Sequence, residues 1–257
     1  MKFQAAKETA NIIQFIRRYY QKYQLGGAIL GISGGKDSAV VAALMVEALG
    51  ADHVIGVTLP CHSNDEDKID AKLIADHYHF PLVNVDLTGT YDSFSTEITK
   101  LGDFSTDEKR NSDINVKPRL RMMTLYYLAA LYSAVEKKGY LVVGTSNKCE
   151  LYVGYFTKGG DSVHDIAPIA DLTVEEVIQI GEYLHVPAKV LYKTPNDGLS
   201  NQTDEQKLGV SYRDIARYME DPKSVDLVTR GKIERLHQLA AHKFAIPTYY
   251  KTDKGAE

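Results

Sequence analysis

Residues 31–38 read Gly31-Ile32-Ser33-Gly34-Gly35-Lys36-Asp37-Ser38, and they join the end of an apolar run to the start of a helical pattern. Residues 28–32 have the length and composition of a buried strand, whereas residues 39–49 stay apolar for longer than a strand does. The glycines therefore fall in a strand-to-helix turn, where backbone N–H groups at a helix N-terminus receive anions. Gly34 and Gly35 let an anion approach the main chain where a Cβ would collide. Ser33 and Ser38 add hydroxyl donors, and Lys36 adds a positive charge. The stretch departs from the P-loop pattern, in which Ser or Thr follows Gly-Lys directly; here Asp37 follows Lys36. A carboxylate beside a phosphate cradle is repulsive unless a cation lies between them, so Asp37 predicts Mg²⁺.

Outward from this loop, helix and strand patterns alternate. Residues 5–23 place Ile12, Ile13, Ile16, Tyr19, Tyr20 and Tyr23 at helical spacing before Gly26-Gly27. Strands are expected at 28–32, 53–59, 81–87 and 140–144, with a helix at 64–78 whose capping box is Ser63 with Glu66. Strands separated by helices predict an α/β fold, a doubly wound parallel sheet flanked by helices, over a single domain spanning 1–257. Ligands of such sheets sit beyond the carboxyl ends of the strands, where Ser33 and Thr145 fall.

The 257 residues are 44% hydrophobic and 25% charged, ordinary for a globular protein. A formal charge of −4 gives no electrostatic reason to expect a nucleic-acid partner. The first ten residues lack a signal-peptide core, and no stretch approaches the ~18 apolar residues of a membrane span, so a cytoplasmic protein is expected. Cys61 and Cys149 form no CxxC pair, which argues against a zinc site or a disulfide framework. Residues 103–115 are highly charged with little periodicity and read as mobile without ligand. Residues 194–205 carry turn formers throughout, as lid loops do. Residues 122–135 are apolar on several faces, which predicts a homodimer with residues 120–135 in its interface; a central buried helix is the alternative.

A second constellation, Gly144-Thr145-Ser146-Asn147-Lys148-Cys149-Glu150, follows the fourth strand. Thr145 is the candidate N-cap of the next helix, and Glu150 is expected to face the same phosphates as Asp37. Two carboxylates from neighbouring strand ends suit a Mg²⁺ held by triphosphate and protein together.

Ser33-Gly34-Gly35-Lys36-Asp37-Ser38 resembles the SGGxDS signature of the N-type ATP pyrophosphatases, which cut ATP between its α- and β-phosphates. That resemblance narrows further. Gly144-Thr145 with Glu150, Gly154-Tyr155-Phe156-Thr157-Lys158, Asp165-Ile166-Ala167-Pro168, His242-Lys243 and the segment from Asn115 to Met122 are similar to ammonia-dependent NAD synthetases. The resemblance covers nearly the whole chain and implies an adenine nucleotide alpha-hydrolase-like, Rossmann-like fold. It implies a C–N-forming ligase that adenylates the nicotinate carboxylate of deamido-NAD and then amidates it with ammonia, giving NAD, AMP and pyrophosphate. By the same resemblance Gly31, Ile32, Ser33, Gly34, Gly35, Lys36, Asp37, Ser38 and Thr145 bind ATP, and Asp37 and Glu150 bind Mg²⁺. Arg119, Lys158, Asp165, His242 and Lys243 are implied to bind deamido-NAD, His242 and Lys243 near a dimer interface.

Two positions depart from the family. Val174 stands where a lysine commonly reaches ATP, and Asn196 where a Ser or Thr contacts it. Two other readings stay open: another ATP pyrophosphatase, such as the separate ATP-pyrophosphatase subunit of a GMP synthetase, and a non-catalytic nucleotide sensor. Glu150 argues against the sensor, because phosphate binding alone does not require a second metal carboxylate.

Overall fold

The computed structural model describes residues 3–194 and 203–250. In chain order the elements are α1 (Ala5–Lys22), β1 (Gly27–Gly31), α2 (Lys36–Leu49), β2 (Val54–Thr58), α3 (Asp65–Tyr78), β3 (Leu82–Asn84), α4 (Thr88–Thr99), α5 (Thr106–Asp113) and α6 (Val116–Glu136). There follow β4 (Tyr140–Val143), α7 (Lys148–Val153), α8 (Val174–Tyr183), α9 (Ala188–Leu191), α10 (Asp204–Leu208), α11 (Tyr212–Glu220) and α12 (Leu227–Phe244).

The four strands form one parallel sheet in the order β3-β2-β1-β4. Strand order reverses at β1, so β1 and β4 leave between their carboxyl ends the crevice in which open α/β sheets hold ligands. Alternate residues of β1 face opposite layers: Ala28 and Leu30 enter a core with α1, α2, α3 and α8, while Ile29 enters a second core under α6. The expected doubly wound α/β architecture is therefore the one observed. Val40, Val41, Leu44 and Met45 of α2 are completely buried, each contributing about 1.5–3 kcal/mol as an upper estimate. That burial fixes α2, and with it the loop leading into it.

Several local expectations are corrected. β3 itself spans only Leu82–Asn84 of the expected 81–87, but backbone bonds from Gly56 N to Pro81 O, Val85 N to Thr58 O and Leu87 N to Pro60 O carry the pairing with the β2 segment on either side of it. α3 is capped by Asn64, whose side chain accepts from Glu66 N, while Ser63 Oγ accepts from Cys61 N. Residues 106–113, expected to be irregular, are helical. Ser105 and Glu108 form a reciprocal capping box there, a start signal that needs no buried face. The expectation for residues 194–205 falls mainly on 195–202, which lie outside the described residues, as does Asn196.

α6 is not the central buried helix. Leu125, Tyr126, Leu128 and Tyr132 pack toward the sheet, while Met123, Tyr127, Leu131 and Val135 line up at i, i+4 spacing on the outer face, 56%, 66%, 45% and 75% exposed.

α3 is anchored by Asp70, which is buried between Lys189 and Lys193. Burial acts to raise its carboxyl, but the two lysines outweigh that and hold it below the usual range. A depressed folded-state value stabilises the fold fully above the unfolded carboxyl value of about 3.9, and that stability is lost as pH falls through the lower folded value. Asp70→Asn is expected to be less stable than the unaltered chain at neutral pH by about 3 kcal/mol, and so to melt lower, with the difference vanishing in strong acid. Melting curves at a series of pH values check this, and a gap that does not change with pH contradicts it.

Candidate active site

The loop between β1 and α2 is built around hydroxyls that fold back on its own backbone. Ser38 Oγ donates to Gly35 O at 3.0 Å and accepts from Ser33 N at 3.3 Å, and Ser33 Oγ accepts from Gly35 N at 3.2 Å. Gly34 sits at φ +78°, where an L-residue is strained, and a Cβ there would lie 2.6 Å from the carbonyl oxygen of Asp67. The loop is thus pressed against the first turn of α3. It hands over to α2 at Gly35, so the free N–H groups of the first helical turn face the crevice.

Lys36 and Asp37 point into this crevice as a pair. Lys36 is buried, and its Nζ lies 2.8 Å from Asp37 Oδ2. Burial pulls the Lys36 ammonium down, but Asp37 and then Glu150 more than compensate, so it stays above its ordinary value and charged.

On the neighbouring strand the chain leaves β4 through Gly144 and the half-buried Thr145 and enters α7. The N-cap is Asn147, not Thr145, two residues later than expected. Asn147 Oδ1 accepts from Cys149 N and Glu150 N, and Glu150 Oε2 accepts from Asn147 N at 3.0 Å. The physical reason is the Asn-x-x-Glu spacing, which satisfies two orphan donors reciprocally. The same Asn147 donates through Nδ2 to Asp37 Oδ1 at 3.3 Å, so one residue, through its side-chain amide and its backbone N–H, ties the two carboxylates expected to act together. Burial, and after it the charge of Asp37, push the Glu150 carboxyl up to about 8. Two carboxylates that repel each other across an amide bridge form a place where a cation is stabilising.

Three further residues close this site. Asp204 is buried and accepts from Tyr155 OH at 3.0 Å, with Tyr212 OH 3.5 Å away. Lys36 Nζ lies 6.0 Å over the Tyr212 ring. Burial and the neighbouring carboxylates, Glu150 first, raise the Tyr212 phenol, which keeps its proton. None of Asn147, Asp204 and Tyr212 was singled out from the sequence; only Asn147 carried a usable signal, its spacing to Glu150. Val174, where the resemblance expects a lysine, packs instead on the apolar cluster of Cys149, Tyr212 and Ile215.

The other expected site residues form a second group. Arg119 of α6 donates through Nε and Nη2 to the carbonyl oxygen of Lys158, at 3.3 and 3.2 Å. Lys158 Nζ donates in turn to His242 O at 2.7 Å, and Lys243 Nζ to Gly154 O and Phe156 O at 2.7 and 2.6 Å. The end of α12 is thereby fastened to the turn after α7 within the same chain. Among the described residues none of Arg119, Lys158 and Lys243 forms a direct ion pair with a carboxylate; burial pulls the Lys243 ammonium below its ordinary value, and the nearby Asp161 carboxylate only partly opposes that. Asp165 stands apart from this run, bridging the sheet to α6: Oδ2 accepts from Val142 N at 2.8 Å and Oδ1 from Tyr126 OH at 3.1 Å.

A parallel sheet with a Ser-Gly-Gly-x-Asp-Ser loop at the end of β1 and a second carboxylate from the helix that follows β4 is the arrangement of the ATP pyrophosphatase class. The profile described as NAD synthase matches residues 8–251. An NH(3)-dependent NAD(+) synthetase from Carboxydothermus hydrogenoformans is 38% identical over 94% of this chain and 96% of its own length. Among solved structures, the NMN synthetase from Francisella tularensis superposes with a TM-score of 0.86 at 30% identity, covering 98% of this chain and 100% of that one. The NH3-dependent NAD synthetase from Campylobacter jejuni gives 0.77 at 27% identity, covering 97% and 100%. The chain belongs to the NAD synthase family and is a ligase that forms a C–N bond.

Proposed function

We propose that this chain makes NAD by amidating deamido-NAD with ammonia, converting ATP to AMP and pyrophosphate through an adenylated intermediate. The observation that carries the reading is the joining of Asp37 to Glu150 through Asn147 beside the loop of residues 31–38. A resonance-stabilised carboxylate is a poor acceptor for ammonia, so it must first gain a leaving group. In the first step a carboxylate oxygen of the nicotinate ring attacks the α-phosphorus of ATP, and the bond to the bridging oxygen breaks, releasing pyrophosphate. In the second, ammonia attacks the acyl carbon, AMP leaves with the bonding pair, and the nitrogen sheds a proton to become the amide.

Residues 31–38 take the ATP phosphates on backbone N–H groups, Lys36 contributes charge, and Thr145 its hydroxyl. Asp37 and Glu150 would hold Mg²⁺ with the triphosphate, since the two carboxylates are joined through Asn147 beside the phosphate loop. Bound there, the ion supplies charge stabilisation to the leaving phosphates. Arg119, Lys158, His242 and Lys243 face the negative charges of deamido-NAD, and Asp165 accepts from the dinucleotide or orders α6 beside it.

The exposed stripe Met123, Tyr127, Leu131 and Val135 supports the homodimer, because a contiguous apolar helix face is covered in use. Tyr127→Asp is expected to halve the sedimenting mass at micromolar concentration, whereas an unaltered chain that already sediments as a monomer removes the dimer. We further propose that the chain works in the cytoplasm as one domain, the second supported by the family match over residues 8–251; among the described residues no helix is long and apolar enough to cross a membrane.

The superposition on the Francisella NMN synthetase favours a second reading, in which the acceptor is the deamido mononucleotide. Product analysis with each acceptor separates the two. A higher kcat/KM with deamido-NAD supports the first reading, and the reverse order the second.

A further inference from the structure

Asp70 of α3 has no exposed surface and is met by two ammonium groups, Lys189 Nζ at 2.6 Å from Oδ1 and Lys193 Nζ at 2.7 Å from Oδ2. Lys193 Nζ also lies 2.9 Å from Asp67 Oδ1, one turn earlier in the helix. The contacts are long-range, joining positions 123 and 126 residues apart. Among the described residues Lys189 pairs with Asp70 and, at 3.9 Å, Glu66.

A buried ion pair is weak evidence of stability alone, since an apolar pair of the same volume does as well. Its placement distinguishes this one. The carbonyl and Cα of Asp67 are the surface against which Gly34 is seated, at 2.6 and 3.1 Å from where its Cβ would stand. Gly34 is the left-handed residue that gives the phosphate loop its shape. Lys193 therefore grips the side chain of the α3 residue whose backbone lies against Gly34.

We propose that Lys193 is a positioning residue for ATP: by drawing Asp67 and Asp70 onto one ammonium group it fixes the first turn of α3 against Gly34, and so fixes the phosphate loop in its binding form. The inference rests on residues 31–38 being the ATP site. Nothing in it requires Lys193 to touch ATP. A loop displaced by a fraction of an ångström misplaces several N–H donors at once, while the acceptor dinucleotide, held by Arg119, Lys158 and the end of α12, is unaffected.

The test is steady-state kinetics on the full chain, varying ATP and deamido-NAD separately, with melting temperatures for each variant. Lys193→Met is expected to raise the KM for ATP about tenfold and change that for deamido-NAD by less than about twofold, with Lys193→Arg recovering most of the loss. Lys189→Met removes an equally short contact to Asp70 and is expected to lower the melting temperature with little change in the KM for ATP. Equal rises in both KM values, or a Lys189→Met variant that loses ATP as strongly as Lys193→Met, reduces the cluster to structural support and overturns the proposal. If Lys193→Met does not fold, Asp67→Asn keeps the backbone and the Asp70 contact and is expected to raise the KM for ATP about threefold; an unchanged value is contrary to the proposal. An unaltered chain that does not use ATP overturns the reading of the loop itself, a result distinct from any failure of the variants.

Discussion

Asp37→Asn and Glu150→Gln are each expected to lower turnover about a thousandfold with the fold intact. Asp37 spends one oxygen on Lys36 and the other on Asn147, while Glu150 is tied to the same Asn147 from the opposite side. Glu150→Gln preserves size and can still accept from Asn147 N, so it removes only the charge that a cation between phosphate and protein needs. In Asp37→Asn the new amide NH2 must face one of two donors, Lys36 Nζ or Asn147 Nδ2, so part of its effect is the lost pairing. Stability separates this from a folding defect. Glu150→Gln is expected to melt no lower than the unaltered chain at neutral pH, because it removes a carboxyl that burial and Asp37 push up to about 8. Near-normal turnover in both variants at saturating Mg²⁺ removes the metal assignment.

Gly34→Ala is expected to cost about 3 kcal/mol of stability and to abolish ATP binding. Holding a non-glycine residue in the left-handed region costs roughly 1–2 kcal/mol, and forcing a methyl into a packed contact adds a similar amount. The contact cannot yield, since the atoms met at 2.6, 3.1 and 3.2 Å are the backbone of Asp67 in the first turn of α3. Gly35→Ala is the control for stability: Gly35 has φ −101°, and its Cβ would meet only Ser33 Oγ at 3.3 Å, so a small loss of stability is expected. Denaturant unfolding of both variants reads out the contrast and a nucleotide titration of Gly34→Ala the loss of ATP; equal stability losses in the two alanines contradict the account of the loop.

The parts of the molecule legible in its sequence are those decided by local chemistry. The apolar run at 28–32, the glycines after it and the long apolar helix placed the phosphate loop on a parallel strand, and Asp37 pointed to Glu150 on the next one. Thr145 was misread as a cap because Ser, Thr and Asn stand side by side there, and only the three-residue spacing to Glu150 selects Asn147. Residues 106–113 were misread because a charged helix with a capping box has no apolar period to reveal it. The grip of Lys193 on Asp67 and Asp70, and the approach of Asp204 to Lys36, depend on long-range packing with no local pattern. Val174 is the reverse case: the resemblance implied a lysine, and the structure shows a valine completing an apolar cluster.

The most direct test is product analysis after incubating the chain with ATP, Mg²⁺, ammonium and deamido-NAD. The account predicts NAD, AMP and pyrophosphate in equal amounts, with none formed when deamido-NAD is withheld. Pyrophosphate released with some other acceptor but never with deamido-NAD, or ATP cleaved to ADP and phosphate, contradicts it.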